Sequence, residues 1–167
     1  IMLAMLGKDA ASFAPDLPQR LAETHMRHFG PALEIRPESH QVLDWARQTG
    51  YRLAMISNFD YSPTLYACLD RHGVRNMFEA IVVSDELGWR KPHPRIFERA
   101  LKQLEITPDD GLFIGDRLDI DVDGAARSGL DSVWLDTGQQ KWTPQHAQPQ
   151  YTIGSLSELR AILEGRD

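Results

Sequence analysis

The sequence predicts an α/β fold built on a parallel sheet flanked by helices. Two observations carry that expectation. Five short apolar runs rich in β-branched residues (Arg52–Ser57, Ala80–Ser84, Gly111–Gly115, Ser132–Leu135 and Tyr151–Ile153) alternate with segments of helical periodicity. Two of these runs end in polar pairs, Ser57-Asn58 and Gly115-Asp116. Open α/β sheets bind their ligands at the carboxyl ends of the strands.

The helices follow from spacing and punctuation. Ile96, Phe97, Ala100, Leu101 and Leu104 share one face at a 3.6-residue period. Gly50 is placed to close a helix over Glu38–Thr49, and Gly73 to close Pro63–His72. Ser62 reads as the N-cap of that second helix, with Pro63 at its first position. Ser155-Leu-Ser-Glu158 is a capping box opening a last helix striped by Leu156, Leu159, Ile162 and Leu163. Upstream, the fragments Ile1–Leu6 and Leu17–Phe29 are separated by Pro and Gly and suggest a small helical substructure. Thr137–Gln150, rich in Gln, Thr and Pro, reads as a loop, either a surface connection or the wall of a site.

Composition bounds the possible roles. The 167 residues suffice for one domain with a hydrophobic core, and 42% hydrophobic and 25% charged residues are ordinary for a globular protein. A net charge of −6 argues against a general binder of nucleic acid or anionic membranes. No apolar run approaches the roughly 18 residues of a membrane span. Cys68 is the single cysteine, so no internal disulfide forms and a core role is expected. The cytoplasm is the default location. The chain opens on Ile1 within an apolar run, which reads as the interior of a longer sequence.

Three sets of residues carry the chemistry. Asp116 ends a strand where Gly115 permits close backbone approach, and Asp121 follows five residues later. Hard carboxylate oxygens there suit Mg²⁺, which takes one or two carboxylates plus waters and phosphate oxygens. Asp119 and Asp123 also fit the start of a helix, where its dipole favours negative charge. Ser57 offers a hydroxyl and Asn58 a backbone N–H to a phosphate oxygen, although the pair also suits an ordinary strand-to-loop turn. Lys91, in Gly88-Trp-Arg-Lys-Pro-His-Pro94, is presented from a backbone stiffened by proline and can neutralise a phosphate beside a carboxylate. His93, between two prolines, is expected to point outward. A hydroxyl, an ammonium and a carboxylate-held metal on one rim suit phosphoryl transfer.

Ser57–Asp60 (Ser-Asn-Phe-Asp), Gly88–Phe97, Ile114–Asp121 (Ile-Gly-Asp-Arg-Leu-Asp-Ile-Asp) and Ala125–Gly129 together resemble the haloacid dehalogenase (HAD) superfamily, in particular its members with a helical cap inserted after the first strand. The resemblance runs from about Ile35 to Leu163, and within the superfamily the chain looks most like the phosphoglycolate phosphatase-like and HAD-like hydrolase domain-containing members. It implies a Rossmann-like core over residues 35–167 and the remainder of a cap over 1–34. It also implies that Ser57 and Asn58 bind the phosphoryl group and that Lys91 stabilises the charge shared with the nucleophile. Asp116 would ligate Mg²⁺, with Asp121 supporting that site from behind or holding Lys91. The implied partner is a small phosphorylated metabolite, with neither nucleic acid nor membrane involved.

The chain departs from the family pattern in one respect. Family members attack phosphorus with an aspartate of an Asp-x-Asp motif at the end of the first strand. Upstream of Ser57 stand only Asp9, Asp16 and Asp44, none in such a pair. The missing strand would be central, between those ending at Ser57 and Gly115, and is expected upstream of Ile1 together with the nucleophile and the first part of the cap. Ile1–Leu6, or a strand from a second copy in a homodimer, is the alternative filler. The functional expectation is a Mg²⁺-dependent phosphatase acting through an aspartyl-phosphate. The alternatives are a metal-independent 2-haloacid dehalogenase and a non-catalytic binding module that has lost the nucleophile. Trp89, Trp142 and the Thr137–Gln150 loop are candidates to shape the pocket.

Overall fold

The computed structural model describes residues 16–165. The expectation for Ile1–Leu6 and Asp9 lies outside them. In chain order the elements are α1 (Leu17–Phe29), α2 (Ser39–Gln48), β1 (Ala54–Ser57), α3 (Ser62–Arg71), β2 (Ala80–Val83), α4 (Ser84–Leu87), α5 (Pro94–Leu104), β3 (Leu112–Gly115), α6 (Asp123–Arg127), β4 (Asp131–Leu135), β5 (Tyr151–Ile153) and α7 (Leu159–Glu164). Among the described residues every strand pairing is parallel: β1 with β2, β3 with β4, and β4 with β5.

Helix α5 is the keystone of the core. Its apolar positions 96, 97, 100 and 104 are buried, with Ile96 and Phe97 fully enclosed. They pack on Val82 of β2, Ala125 of α6 and Leu130, with Ile56 of β1 and Phe113 of β3 alongside. Phe97 meets the Phe113 ring edge-on at 5.0 Å, a favoured aromatic geometry. The period-2 alternation of the strands sends their other faces to a second layer. Val133, Leu135 and Ile153 pack there on Leu159 of α7, with Val42 of α2 and Leu112 nearby. The result is a three-layer sandwich of helix, sheet and helix, the α/β architecture that the alternating pattern predicts.

The sheet is divided. β1 and β2 form one two-stranded ladder, while β3, β4 and β5 form a separate three-stranded one. Among the described residues no strand joins β1 to β3, although α5 packs against both ladders. The exposure pattern records the division. All four residues of β1 are only half-buried, and Ile114 of β3 is 36% exposed, whereas most of β2 and β4 is buried. Central parallel strands are ordinarily covered on both faces and paired along both edges.

Most of the expected elements form within a residue or two of their predicted bounds. Gly50 and Gly73 follow their helices with φ of 91° and 67°, the left-handed conformation that glycine adopts without strain. The Ser155–Glu158 capping box closes as expected, opening a short 3₁₀ turn before α7. One expectation is corrected. Ser62 is the first helical residue of α3 rather than its cap, and Tyr61 takes the cap position. The reason is a distant acid: the Ser62 backbone N–H donates to Asp85 Oδ2 at 2.9 Å, so the free donor at the helix start is satisfied from α4.

Candidate active site

Lys91 joins the two ladders at their carboxyl ends. Its backbone is clamped by the Asn58 side chain, whose Nδ2 donates to Lys91 O at 2.9 Å and whose Oδ1 accepts from Lys91 N at 2.8 Å. Asn58 follows β1 directly, so this two-way clamp fixes the lysine to the β1 rim. The ammonium reaches the other ladder. Nζ lies 2.7 Å from Asp121 Oδ1 and 5.3 Å from the centroid of Phe113 in β3. Both partners of the ion pair are largely withdrawn from solvent, with side-chain exposures of 13% and 5%. Asn58, whose backbone N–H is the group expected to meet a phosphate oxygen, thus also places the lysine through its side-chain amide.

Asp121 reaches this position through a local irregularity. Residues Leu118–Val122 form a π-helical turn, in which both Asp121 N and Val122 N donate to Arg117 O, at 2.8 and 3.2 Å. The widened turn folds the Asp121 side chain back beneath the end of β3. There Oδ2 accepts from Arg117 N at 3.1 Å, leaving Oδ1 for Lys91. Gly115 makes room for it: a Cβ at that position would lie 2.5 Å from Asp121 Cγ and Oδ2.

Asp116, the first residue beyond β3, presents a carboxylate whose side chain is 50% exposed. Its backbone carbonyl accepts from Trp134 Nε1 at 3.3 Å. Its carboxylate faces Arg36 Nη2 at 4.0 Å, too long for a hydrogen bond. Ser57, at the end of β1, has no hydrogen-bond partner for its hydroxyl among the described residues. Contacts therefore run from Asn58 through Lys91 to Asp121 and Arg117 N, while Ser57 and Asp116 adjoin the two ends of this path along the chain.

The described residues contain no cluster of three or more His, Cys, Asp or Glu side chains that would hold a metal by itself. Mg²⁺ does not need one, because it is commonly bound by one or two carboxylates with water and phosphate oxygens. The half-exposed Asp116 fits that requirement. Asp121, buried and engaged on both oxygens, fits a supporting role better than direct ligation.

Two other acids of the cluster hold the 137–150 loop, a role that helix-dipole reasoning did not foresee. Asp119 accepts from Arg117 Nε and Nη2 at 3.1 and 2.9 Å and from Gln140 Nε2 at 3.0 Å. Gln140 Oε1 in turn accepts from Leu118 N at 2.7 Å. Asp123 accepts from Ala147 N at 2.8 Å and pairs with His146 Nδ1 at 3.1 Å. The loop is thus fastened across the start of the helix that carries Asp121. No sequence signal marked Gln140, His146 or Arg36, because each contact joins residues that only the fold brings together. His93 is exposed; its Nδ1 accepts from Arg95 N at 3.3 Å, and its ring lies 4.0 Å from that of Trp89. Trp89 also lies beneath Arg95 at 4.6 Å, so its contacts run along α5. Cys68 is buried, and that burial raises its thiol pKa, which argues against a nucleophilic role.

The Arg117 guanidinium first, and Gln140 second, hold the Asp119 carboxyl below its usual range. A depressed carboxyl pKa adds stability that is complete above the unfolded value, about 3.9, and is lost as pH falls through the folded value. Asp119→Asn is therefore expected to lower urea midpoints at pH 7 but to narrow the gap to wild type near pH 3. The effect is small because the side chain is 44% exposed. A gap that widens on acidification would contradict this assignment.

The family model for haloacid dehalogenase-like hydrolase matches residues 10–129. The chain belongs to the HAD superfamily. It is 32% identical over 152 residues to the phosphoserine phosphatase of Thermus thermophilus, covering 90% of this chain and 59% of that protein. It is 35% identical over 116 residues to the glyceraldehyde 3-phosphate phosphatase of Pyrococcus abyssi, covering 69% of this chain and 48% of the relative. Among solved structures it superposes with a TM-score of 0.77 on the HAD-hydrolase YfnB of Bacillus subtilis, determined bound to magnesium, at 26% identity over 84% of this chain and 61% of that one. The HAD chain described here thus spans about half to three-fifths of the length of these relatives. No helix among the described residues is long and apolar enough to cross a membrane.

Proposed function

We propose that this HAD chain provides the phosphate- and metal-binding rim of a cytoplasmic, Mg²⁺-dependent phosphomonoesterase acting on a small phosphorylated metabolite. The observation that carries the reading is Lys91, its backbone fixed to the β1 rim and its ammonium 2.7 Å from Asp121 beyond β3. A cation placed between two strand ends is where a phosphoryl group and an attacking carboxylate would both need neutralising. The phosphatase names of the similar proteins support the same reading.

In this proposal Ser57 Oγ and the backbone at Asn58 bind phosphoryl oxygens, and Lys91 neutralises the charge shared by phosphate and nucleophile. Asp121 holds Lys91 in place, and Asp116 holds Mg²⁺, which when bound offsets charge on the phosphoryl oxygens. The attacking carboxylate comes from a strand occupying the open position between β1 and β3. Its oxygen bonds to phosphorus as the ester P–O bond breaks, and a second acid on that strand gives the leaving alcohol its proton. The same group then takes a proton from the water that hydrolyses the aspartyl-phosphate to inorganic phosphate. Among the described residues no acid suits that role. Asp121 is paired with Lys91, Asp60 with Arg90 at 3.0 Å, Asp16 precedes α1 and pairs with Arg20, and Asp44 lies within α2. Residues 1–34 are proposed to belong to the cap and 35–167 to the core.

The test is hydrolysis of an aryl phosphate by the full-length protein. Activity is expected to require Mg²⁺ and to fall by about 10²–10³-fold in Lys91→Ala, as when one preorganised charge stabiliser is removed. Turnover that survives both EDTA and the substitution would overturn the mechanism.

A further inference from the structure

Arg36 lies outside the strands and helices that build the rim. It sits in the link between the turn Gly30–Ala32 and α2, where its carbonyl accepts from Ser39 N, and its guanidinium lies 4.0 Å from Asp116. Three other basic side chains around the rim are committed more closely. Lys91 is 2.7 Å from Asp121, Arg90 is 3.0 Å from Asp60, and Arg117 makes two hydrogen bonds to Asp119. Arg36, by contrast, touches its acid only at the limit of an ion pair, with both side chains about half-exposed at 44% and 50%. Arg117 is the other cation beside Asp116, and its guanidinium is held on Asp119 through Nε and Nη2.

Such a contact is strong enough to bias Asp116 and weak enough to be exchanged. Two unit charges 4 Å apart in water-like surroundings alter a binding constant by about fivefold. A divalent cation carries twice the charge and bonds the oxygen directly. Once it takes the carboxylate, Arg36 is left on the rim with five donors in a planar fork suited to carboxylate or phosphate oxygens.

Building on the Mg²⁺-dependent reading above, we propose that Arg36 is a displaceable counter-ion of Asp116: it occupies the carboxylate until a divalent cation takes it, and the released guanidinium then receives an anionic group of the substrate. Metal and anion binding are thereby coupled through one side chain, and the coupling is reciprocal.

The experiment is a titration of the full-length protein with Mn²⁺ alone and with Mn²⁺ plus inorganic phosphate, following free Mn²⁺ by electron paramagnetic resonance. Wild type, Arg36→Gln and Asp116→Asn are compared. Arg36→Gln is expected to bind Mn²⁺ about fivefold more tightly than wild type, because its competitor is gone. Phosphate is expected to tighten Mn²⁺ binding by a larger factor in wild type than in Arg36→Gln. Asp116→Asn is expected to lose the site. Asp116-dependent binding that Arg36→Gln leaves unchanged or weakens would overturn the role of Arg36 while sparing the metal assignment. Mn²⁺ binding indifferent to Asp116→Asn would overturn both. Both positions are half-exposed, so neither substitution removes core packing.

Discussion

Replacing Lys91 by Met is expected to cost about 3 kcal/mol of folding stability, although the residue lies among those proposed to act on substrate. The cause is Asp121. Its side chain is 5% exposed, and its Oδ1 has Lys91 Nζ as its partner at 2.7 Å. Removing the ammonium leaves a carboxylate buried with one oxygen uncompensated, and taking away one partner of a buried pair commonly costs about 3–5 kcal/mol. Loss of the contact with the Phe113 ring adds a smaller amount. The double variant Lys91→Met/Asp121→Asn is expected to recover much of the loss, because the amide keeps an acceptor for Arg117 N without a buried charge. Urea unfolding of both single variants and the double variant gives the coupling directly. Additive losses across that cycle would show that the pair is not the structural link described here.

Gly115→Ala is expected to be the most damaging exchange of a single hydrogen for a methyl group at the rim, at about 2–3 kcal/mol. The new Cβ would lie 2.5 Å from Asp121 Cγ and Oδ2 and closer still to Asp121 Cβ. That Cβ cannot rotate away, since it is attached to the backbone of a π turn pinned by two hydrogen bonds to Arg117 O. Either β3 or the turn must shift, and Asp121 must leave Lys91. The stability loss should therefore be accompanied by weaker phosphate binding. Gly138→Ala is the comparison. That glycine has a φ of 76° and nothing within 4 Å of an added Cβ, so only left-handed backbone strain of about 1 kcal/mol is expected. Equal midpoints for the two variants would show that the close approach at Gly115 relaxes without cost.

The order of strands and helices was legible because it rests on local pattern. The period-3.6 stripe of α5 and the apolar runs ending at Ser57 and Gly115 can be read without knowing what they touch. The site was legible in part for a related reason. In a parallel α/β fold the strand ends converge by topology, so a Ser-Asn, a Lys-Pro and a Gly-Asp at or after successive strands are brought to one rim. The start of α3 shows where local reading fails. Ser62-Pro63 has the residues of a cap, but the carboxylate of Asp85, 23 positions away, satisfies the helix N-terminus, and the cap moves to Tyr61.

The roles of individual acids were beyond the sequence. Asp116, Asp119, Asp121 and Asp123 are the same kind of group within eight residues, yet the fold gives each different work. Asp116 is left half-open beside Arg36, Asp119 and Asp123 fasten a loop, and Asp121 is buried against Lys91. The amino-acid sequence by itself determined the α/β class, the element order and the strand-end rim on which the candidate residues were expected, since these follow from periodicity and strand-end position. Only the tertiary structure decided which carboxylate stays available and which lysine and arginines are already engaged. That choice depends on a widened helical turn, a missing Cβ and contacts between segments distant in the chain, none of which has a local signature.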